Sequence, residues 1–285
     1  MILVTGATGN IGRQVTAQLL DAGVPVRAVT RDPDSARLPE GAQVVRGDLL
    51  ATNTMAAALR GVEAVFLMWP FPTADPAPAL LDVLKRHTRR IVFLSSGAIR
   101  DDLDEQADPI GRLHAEVERE IERSGMEWTF LRPHGFARNT LSWAPQIRAG
   151  DTVRGAYGTA AMTLLHEHDV ASAAARTLID NEHAGRRYVL TGPQILTQEE
   201  QVHILGDAIG RPLRWEEISP GLARQQMLTW LPASVADVVL DGYAHMVTRP
   251  GPLTSTVEEI TGVPARTFQE WATDHAHEFS RAPVT

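Results

Sequence analysis

The chain has no cysteine. That excludes disulfides, thiolate metal sites and a cysteine nucleophile. It has no block of lysine and arginine, and 35 acidic against 27 basic side chains leave a net charge of −8. The electrostatic footprint that binding to a phosphate backbone needs is therefore missing, and nucleic acid is not an expected partner. No apolar run reaches the roughly 18 residues of a membrane span. Gly6 and Gly9 interrupt the N-terminal apolar stretch before it resembles a secretory signal. These absences lead us to expect a cytoplasmic chain with no membrane partner. What is present is globular in character: 44% hydrophobic residues over 285 positions can bury a sizeable core, with one or two domains expected.

The first half alternates short apolar runs with helical periods. Strands are expected at Ile2–Thr5, Val24–Thr30, Ala42–Arg46, Ala64–Met68, Arg90–Ser95 and Trp128–Leu131. Between them fall helices at Ile11–Ala22, Thr52–Leu59, Ala77–Arg86 and Gly111–Ser124, three of which close on Gly23, Gly61 and Gly125. Strands that are apolar throughout and separated by helices imply a parallel sheet covered on both faces, joined by right-handed crossovers. The expected class is α/β, a Rossmann-type doubly wound sheet. We expect residues 1–150 to form this dinucleotide-binding core and 151–285 to complete the sheet and add a small, mainly helical substrate or lid region, the whole being one integrated unit.

Gly6, Gly9 and Gly12 follow the first strand directly and open the first helix. In the spacing GxxGxxG the first glycine permits a tight turn, the second admits a pyrophosphate to backbone N–H groups, and the third packs helix on strand. A bare glycine pattern is also a tight βα turn; the repeated βα units favour the dinucleotide. The second strand ends AVTRDP, with Arg31 nineteen positions beyond Gly12 (31 − 12), where an NAD-binding chain would carry a carboxylate. A guanidinium there forks onto a 2′-phosphate, so NADP(H) is the preferred cofactor and NAD(H) the alternative. Thr30 can add a hydroxyl and Arg13 a second cation, while Asp32 starts the turn at Asp32-Pro33.

The stretches VTGATGNIGRQV, RGDL at 46–49, FLSS at 93–96 and LRP at 131–133 resemble the atypical short-chain dehydrogenase/reductases, in their NmrA-like branch. TQEEQVHILGDAIGRPLRW, STVEEITGVPARTFQEWA and LMWPFP are similar to the subgroup of the ergot alkaloid iminium reductases. The resemblance implies cofactor-binding roles for Gly6, Thr8, Gly9, Asn10, Ile11, Gly12, Arg31, Asp48, Leu49, Met68 and Trp69. Reductases of this kind carry a YxxxK helix whose Tyr donates a proton. Here the helix reads IGRLHAEVER, with Ile110 in place of the Tyr and His114 in place of the Lys, and Tyr157, Tyr188 and Tyr243 are remote in sequence. His114, Ser95 and Ser96 are left as the catalytic candidates.

Two readings follow from that loss. In one, the chain is an NADPH-dependent reductase of an activated small molecule, an iminium ion or a quinone, for which positioning does most of the work. In the other, it is a non-catalytic NADP sensor or interaction protein. LRPHGFARN should open the substrate region, with His134, Phe136 and Asn139 lining it. The cluster HEHD at 166–169 is not read as a metal site, because Asp169 is expected to cap a helix over Val170–Ile179. Residues 150–158 and 248–252 read as Gly/Pro linkers. Oligomeric state is left open by the sequence.

Overall fold

The structure, a computed structural model, describes residues 1–280. In chain order its elements begin β1 (Ile2–Val4), α1 (Asn10–Asp21), β2 (Val26–Thr30), β3 (Gln43–Arg46), α2 (Thr52–Ala58), β4 (Ala64–Met68), α3 (Ala77–His87), β5 (Arg90–Leu94), α4 (Pro109–Ser124) and β6 (Glu127–Pro133). A 3₁₀ stretch (Ala137–Trp143), α5 (Ala144–Ala149), β7 (Thr152–Gly155) and β8 (Ala161–Met162) follow, then α6 (Glu167–Ile179) and β9 (Arg186–Leu190). The remainder is β10 (Leu196–Thr197), α7 (Gln198–Ala208), β11 (Arg214–Glu217), α8 (Pro220–Met227), α9 (Ala233–Thr248), α10 (Thr256–Thr261), α11 (Phe268–Asp274) and α12 (Ala276–Phe279).

Two compact units result. The first comprises Met1–Pro133, Glu167–Leu190 and Thr256–Val263. Its seven strands form one sheet in the order β3-β2-β1-β4-β5-β6-β9, every pair parallel. Leu3, Val65, Leu67, Ile91, Phe93 and Phe130 are buried on one face beneath α2, α3 and α4, removing their apolar surface from water. Across the other face α1 and α6 pack together, and the Ser172 hydroxyl donates to Gln18 Oε1 at 2.9 Å. The second unit holds His134–His166, Thr191–Ser255 and residues 264–280. Ile147, Val153, Leu205, Phe268, Trp271 and Phe279 form its core. Its strands are two short ladders, β7 with β11 in parallel and β8 with β10 antiparallel.

Several expectations shift for identifiable reasons. Residues 151–285 contribute β9 to the sheet, where it pairs with β6, and Glu167–Leu190, carrying α6 and β9, groups with the first unit. The second strand starts at Val26 because Pro25 has no N–H to give; its carbonyl accepts from Ile2 N at 2.9 Å. Helix α4 starts two residues early, with Pro109 in the first turn and the Asp108 carboxylate accepting from Gly111 N at 2.7 Å. Helix α6 likewise starts at Glu167, so Asp169 is a buried residue of its first turn, not its cap. Part of the expected linker at 150–158 is strand β7.

Candidate active site

The first βα turn is built from the inside outward. Thr5 Oγ1 donates to the Phe66 carbonyl at 3.0 Å and accepts from Met68 N at 2.8 Å, tying together the ends of β1 and β4. Gly6 then turns at φ +61°, a left-handed conformation that favours glycine, and a Cβ on it would come within 2.7 Å of Met68 Sδ. A Cβ on Gly12 would sit 2.2 Å from the Gly6 carbonyl oxygen and 2.9 Å from Ala7 Cα. Gly9 differs: its N–H donates to Gly6 O at 2.9 Å, and a Cβ there would meet a single neighbour, Gly6 O at 3.3 Å. Gly6 and Gly12 thus serve the packing of the turn, whereas the space left bare at Gly9 serves none of it. Gly9 is also the N-cap of α1, without a side-chain cap bond and with no acidic residue in the first turn. The helix therefore presents uncapped N–H groups and the positive end of its dipole, an arrangement that accepts an anion.

A cleft of about 710 Å³ adjoins this turn, its walls including Gly6, Thr8, Thr30, Arg31, Asp48 and Leu49. Three guanidinium side chains, of Arg13, Arg31 and Arg37, line it. Arg37 has no counterpart in the sequence reading, because it lies in an irregular loop where no periodicity or motif marks it. Asp32 also lines the cleft, but the Ser35 hydroxyl and the turn's own backbone hold its carboxyl below the usual range, so its charge is spent on the Asp32-Pro33 turn. Asp48 Oδ1 accepts from Leu50 N at 3.0 Å and the Asp48 N–H donates to Thr54 Oγ1 at 3.0 Å, which fixes the loop after β3.

Other expected residues fall elsewhere. Ile11 is turned into the core, and Asn10 begins α1 on the surface. Met68 lies under Gly6 and is not part of the cleft lining, and Trp69 clips its own loop by donating Nε1–H to the Thr73 carbonyl at 2.9 Å. The next two residues, Pro70 and Phe71, line the cleft, with Phe71 edge-on to Trp69 at 5.1 Å.

The catalytic candidates separate clearly. Ser95 is buried and donates its hydroxyl to Glu118 Oε1 at 2.5 Å. Glu118 is bonded in turn by Arg132, Nε at 2.9 Å and Nη2 at 2.5 Å, and Arg132 Nη1 reaches both oxygens of Asp101 at 2.8 and 3.0 Å. The Ser95 hydroxyl proton is thus committed to Glu118. Ser96 is half-buried, and its hydroxyl accepts from Ala98 N at 3.1 Å. His114 is half-buried, stacked on Phe93 at 6.0 Å, with Nδ1 at 2.8 Å from the Ile110 carbonyl. A carbonyl only accepts, so Nδ1 carries the proton and Nε2 of the neutral ring is left as an acceptor. Ile110, in the place of the usual Tyr, is exposed.

In the second unit, His134 is exposed and Phe136 is half-buried in a bridge to Leu165. Asn139 lines a pocket there of about 450 Å³. His166 Nε2 lies 3.4 Å from Asp274 Oδ2, and among the described residues no group of three or more His, Asp or Glu is disposed to hold a metal ion.

Comparison with known proteins agrees with this geometry. The family described as NAD(P)H-binding matches residues 6–182. A (4-alkanoyl-5-oxo-2,5-dihydrofuran-3-yl)methyl phosphate reductase of Streptomyces griseus is 39% identical, over 98% of this chain and 99% of its own length. The NAD(P)H azoreductase of Xenophilus azovorans is 34% identical, over 99% of this chain and all of its own length (100%). Among solved structures, the NADPH-dependent quinone oxidoreductase of Escherichia coli superposes with a TM-score of 0.80 at 25% identity, over 96% of this chain and 99% of that one. The chain therefore belongs to the NAD(P)H-binding family, in the NmrA-like branch of the atypical short-chain dehydrogenase/reductases, and is an NAD(P)H-binding oxidoreductase.

Proposed function

We propose that the chain passes hydride from NADPH to a small acceptor that is already activated, such as a quinone, an iminium ion or an electron-poor alkene. One observation carries this reading: the place of the usual proton donor holds an exposed isoleucine, Ile110, while the Ser95 hydroxyl is committed to Glu118. An ordinary ketone reduced without a positioned acid forgoes about 10²–10⁴-fold in rate. A quinone or an iminium ion brings its own electron demand, and orientation suffices. The relatives' names are in keeping with this. In a 4-alkanoyl-5-oxo-2,5-dihydrofuran the ring alkene is conjugated to two carbonyls, and azo and quinone groups are electron-poor as well. These relatives are reductases by name, which favours turnover over a non-catalytic sensor.

The bare face at Gly9 fits a dinucleotide pyrophosphate, which the first-turn N–H groups of Asn10 and Gly12 would hold, the Gly9 N–H being taken by the Gly6 carbonyl. Arg31, with Arg13 and Arg37, would bind the 2′-phosphate, and Asp48 and Leu49 would flank the adenine. When bound, the nicotinamide supplies the hydride. The chain's own part is to orient and to exclude: Ser96 offers a hydroxyl, and His114, with Nδ1–H turned to the Ile110 carbonyl, offers Nε2.

Steady-state turnover with 1,4-benzoquinone, a cyclic iminium salt and cyclohexanone tests the reading. We expect the first two to be reduced and the ketone to be poor by about 10²-fold or more. Arg31→Ala and Arg37→Ala should each narrow the NADPH/NADH affinity ratio by about tenfold, the worth of one charge-assisted contact. Efficient ketone reduction, or an unchanged ratio in both variants, would overturn it.

A further inference from the structure

We propose that the pocket of the second unit is a binding site for a planar, uncharged, ring-bearing molecule. Its wall holds Trp143, Trp215 and Trp230, half of the chain's six tryptophans, together with Met227 and Tyr243. A chain with only 6% aromatic residues has concentrated them here. The volume of about 450 Å³ lies in the range of small-molecule sites and is enough for two fused rings. Arg154 is the one charged side chain in the wall, and Glu216 neutralises it at 2.9 Å, so a charged ligand finds no free counter-charge there.

The aromatic corner is held in place before any ligand arrives. The Trp143 and Trp215 rings meet edge to face, 6.0 Å apart at 71°. Trp215 lies against Gly155 and Gly158, where an added Cβ would come within 2.3 and 2.4 Å of the indole; two missing side chains make its bed. Its Nε1–H donates to Glu217 Oε2 at 2.7 Å. The same carboxylate accepts from Tyr157 N at 2.6 Å and Gly158 N at 2.9 Å. Tyr157 is the one non-glycine with positive φ among the described residues, at +64°. A strained turn is thus kept by Glu217 and by the Gln198 amide, which donates to the Ala156 and Tyr157 carbonyls at 3.0 and 2.8 Å. Trp143 and Trp215 are packed from behind against the core of this unit, so the faces that they turn to the pocket are rigid. A rigid ring face receives another flat ring at low entropic cost.

As a binding site this stands on the pocket alone; that the ligand is the hydride acceptor rests on the function proposed above. Titration calorimetry without nucleotide would compare 2-naphthol with decahydro-2-naphthol, which has the same carbon frame but is neither flat nor aromatic. We expect 2-naphthol to bind at least about tenfold more tightly, and Trp215→Ala and Trp230→Ala each to lose about tenfold of that affinity. Trp230 is 57% exposed, so its removal spares the fold, and NADPH affinity reports the integrity of the first unit. Equal affinity for the two naphthols, or unaltered binding in both variants, would refute the site. Reduction of 1,4-naphthoquinone with KM unmoved in both variants would refute its role in acceptor binding while leaving the reductase intact. Tryptophan-dependent 2-naphthol binding with no turnover of any quinone would uphold the site and refute the reductase reading.

Discussion

Replacing Glu118 by alanine should cost the protein about 3–5 kcal/mol of stability. The Arg132 side chain is 3% exposed and that of Glu118 4%, so neither charge is solvated. The substitution removes both Arg132–Glu118 hydrogen bonds and the acceptor of the Ser95 hydroxyl. Arg132 is then left with Asp101, whose side chain is 69% exposed and screened by water. A buried guanidinium losing its buried partner accounts for the size of the penalty, roughly a third of the 5–15 kcal/mol that stabilises a typical domain. Urea unfolding followed by far-UV circular dichroism measures it as a fall in midpoint at constant slope. Replacing the pair together, Glu118→Leu with Arg132→Met, should restore most of the loss, since neither charge is then stranded. Ser95→Ala should cost about 1.5–3 kcal/mol, the worth of a hydrogen bond to a charged group, with kcat for a quinone little changed. A Glu118→Ala protein as stable as the parent would refute the reasoning. So would a Ser95→Ala protein of full stability that has lost 100-fold or more in kcat, since Ser95 would then be an acid and not a strut.

Gly9→Val should abolish NADPH binding in calorimetry while the chain stays folded, because its Cβ meets a single neighbour, Gly6 O at 3.3 Å, and otherwise fills the space left for the pyrophosphate; Gly12→Val should fail to fold, because its Cβ falls 2.2 Å from a carbonyl oxygen. His114→Ala should raise KM for NADPH by roughly tenfold or less and leave kcat for a quinone within about threefold, as expected of a lost hydrogen bond and not of a lost general acid. The rate of quinone reduction should stay flat across the neutral pH range in both proteins; a step that disappears with His114 would show it working as an acid.

Much of this was written locally. Glycines at 6, 9 and 12 declare a turn whose backbone must be approached, and unbroken apolar runs such as Ala64–Met68 declare strands buried on both faces, because these depend on φ/ψ preference and on the period of neighbouring residues. Element ends that rest on one residue were legible on the same terms, Gly125 among them, at φ +76°. What the sequence did not carry is the pairing of groups far apart along the chain. Ser95 looks like a free hydroxyl at the end of a strand until folding brings Glu118, 23 residues on, to within 2.5 Å and Arg132 behind it. Arg37 is an unremarked loop residue until the loop closes on the same cleft as Arg31. That Pro70 and Phe71 line the cleft while Met68 lies beneath Gly6 follows from where β4 ends in three dimensions. A hydroxyl, a guanidinium or a ring can face solvent, core or ligand with equal local cost, and only the contacts made in three dimensions choose among them.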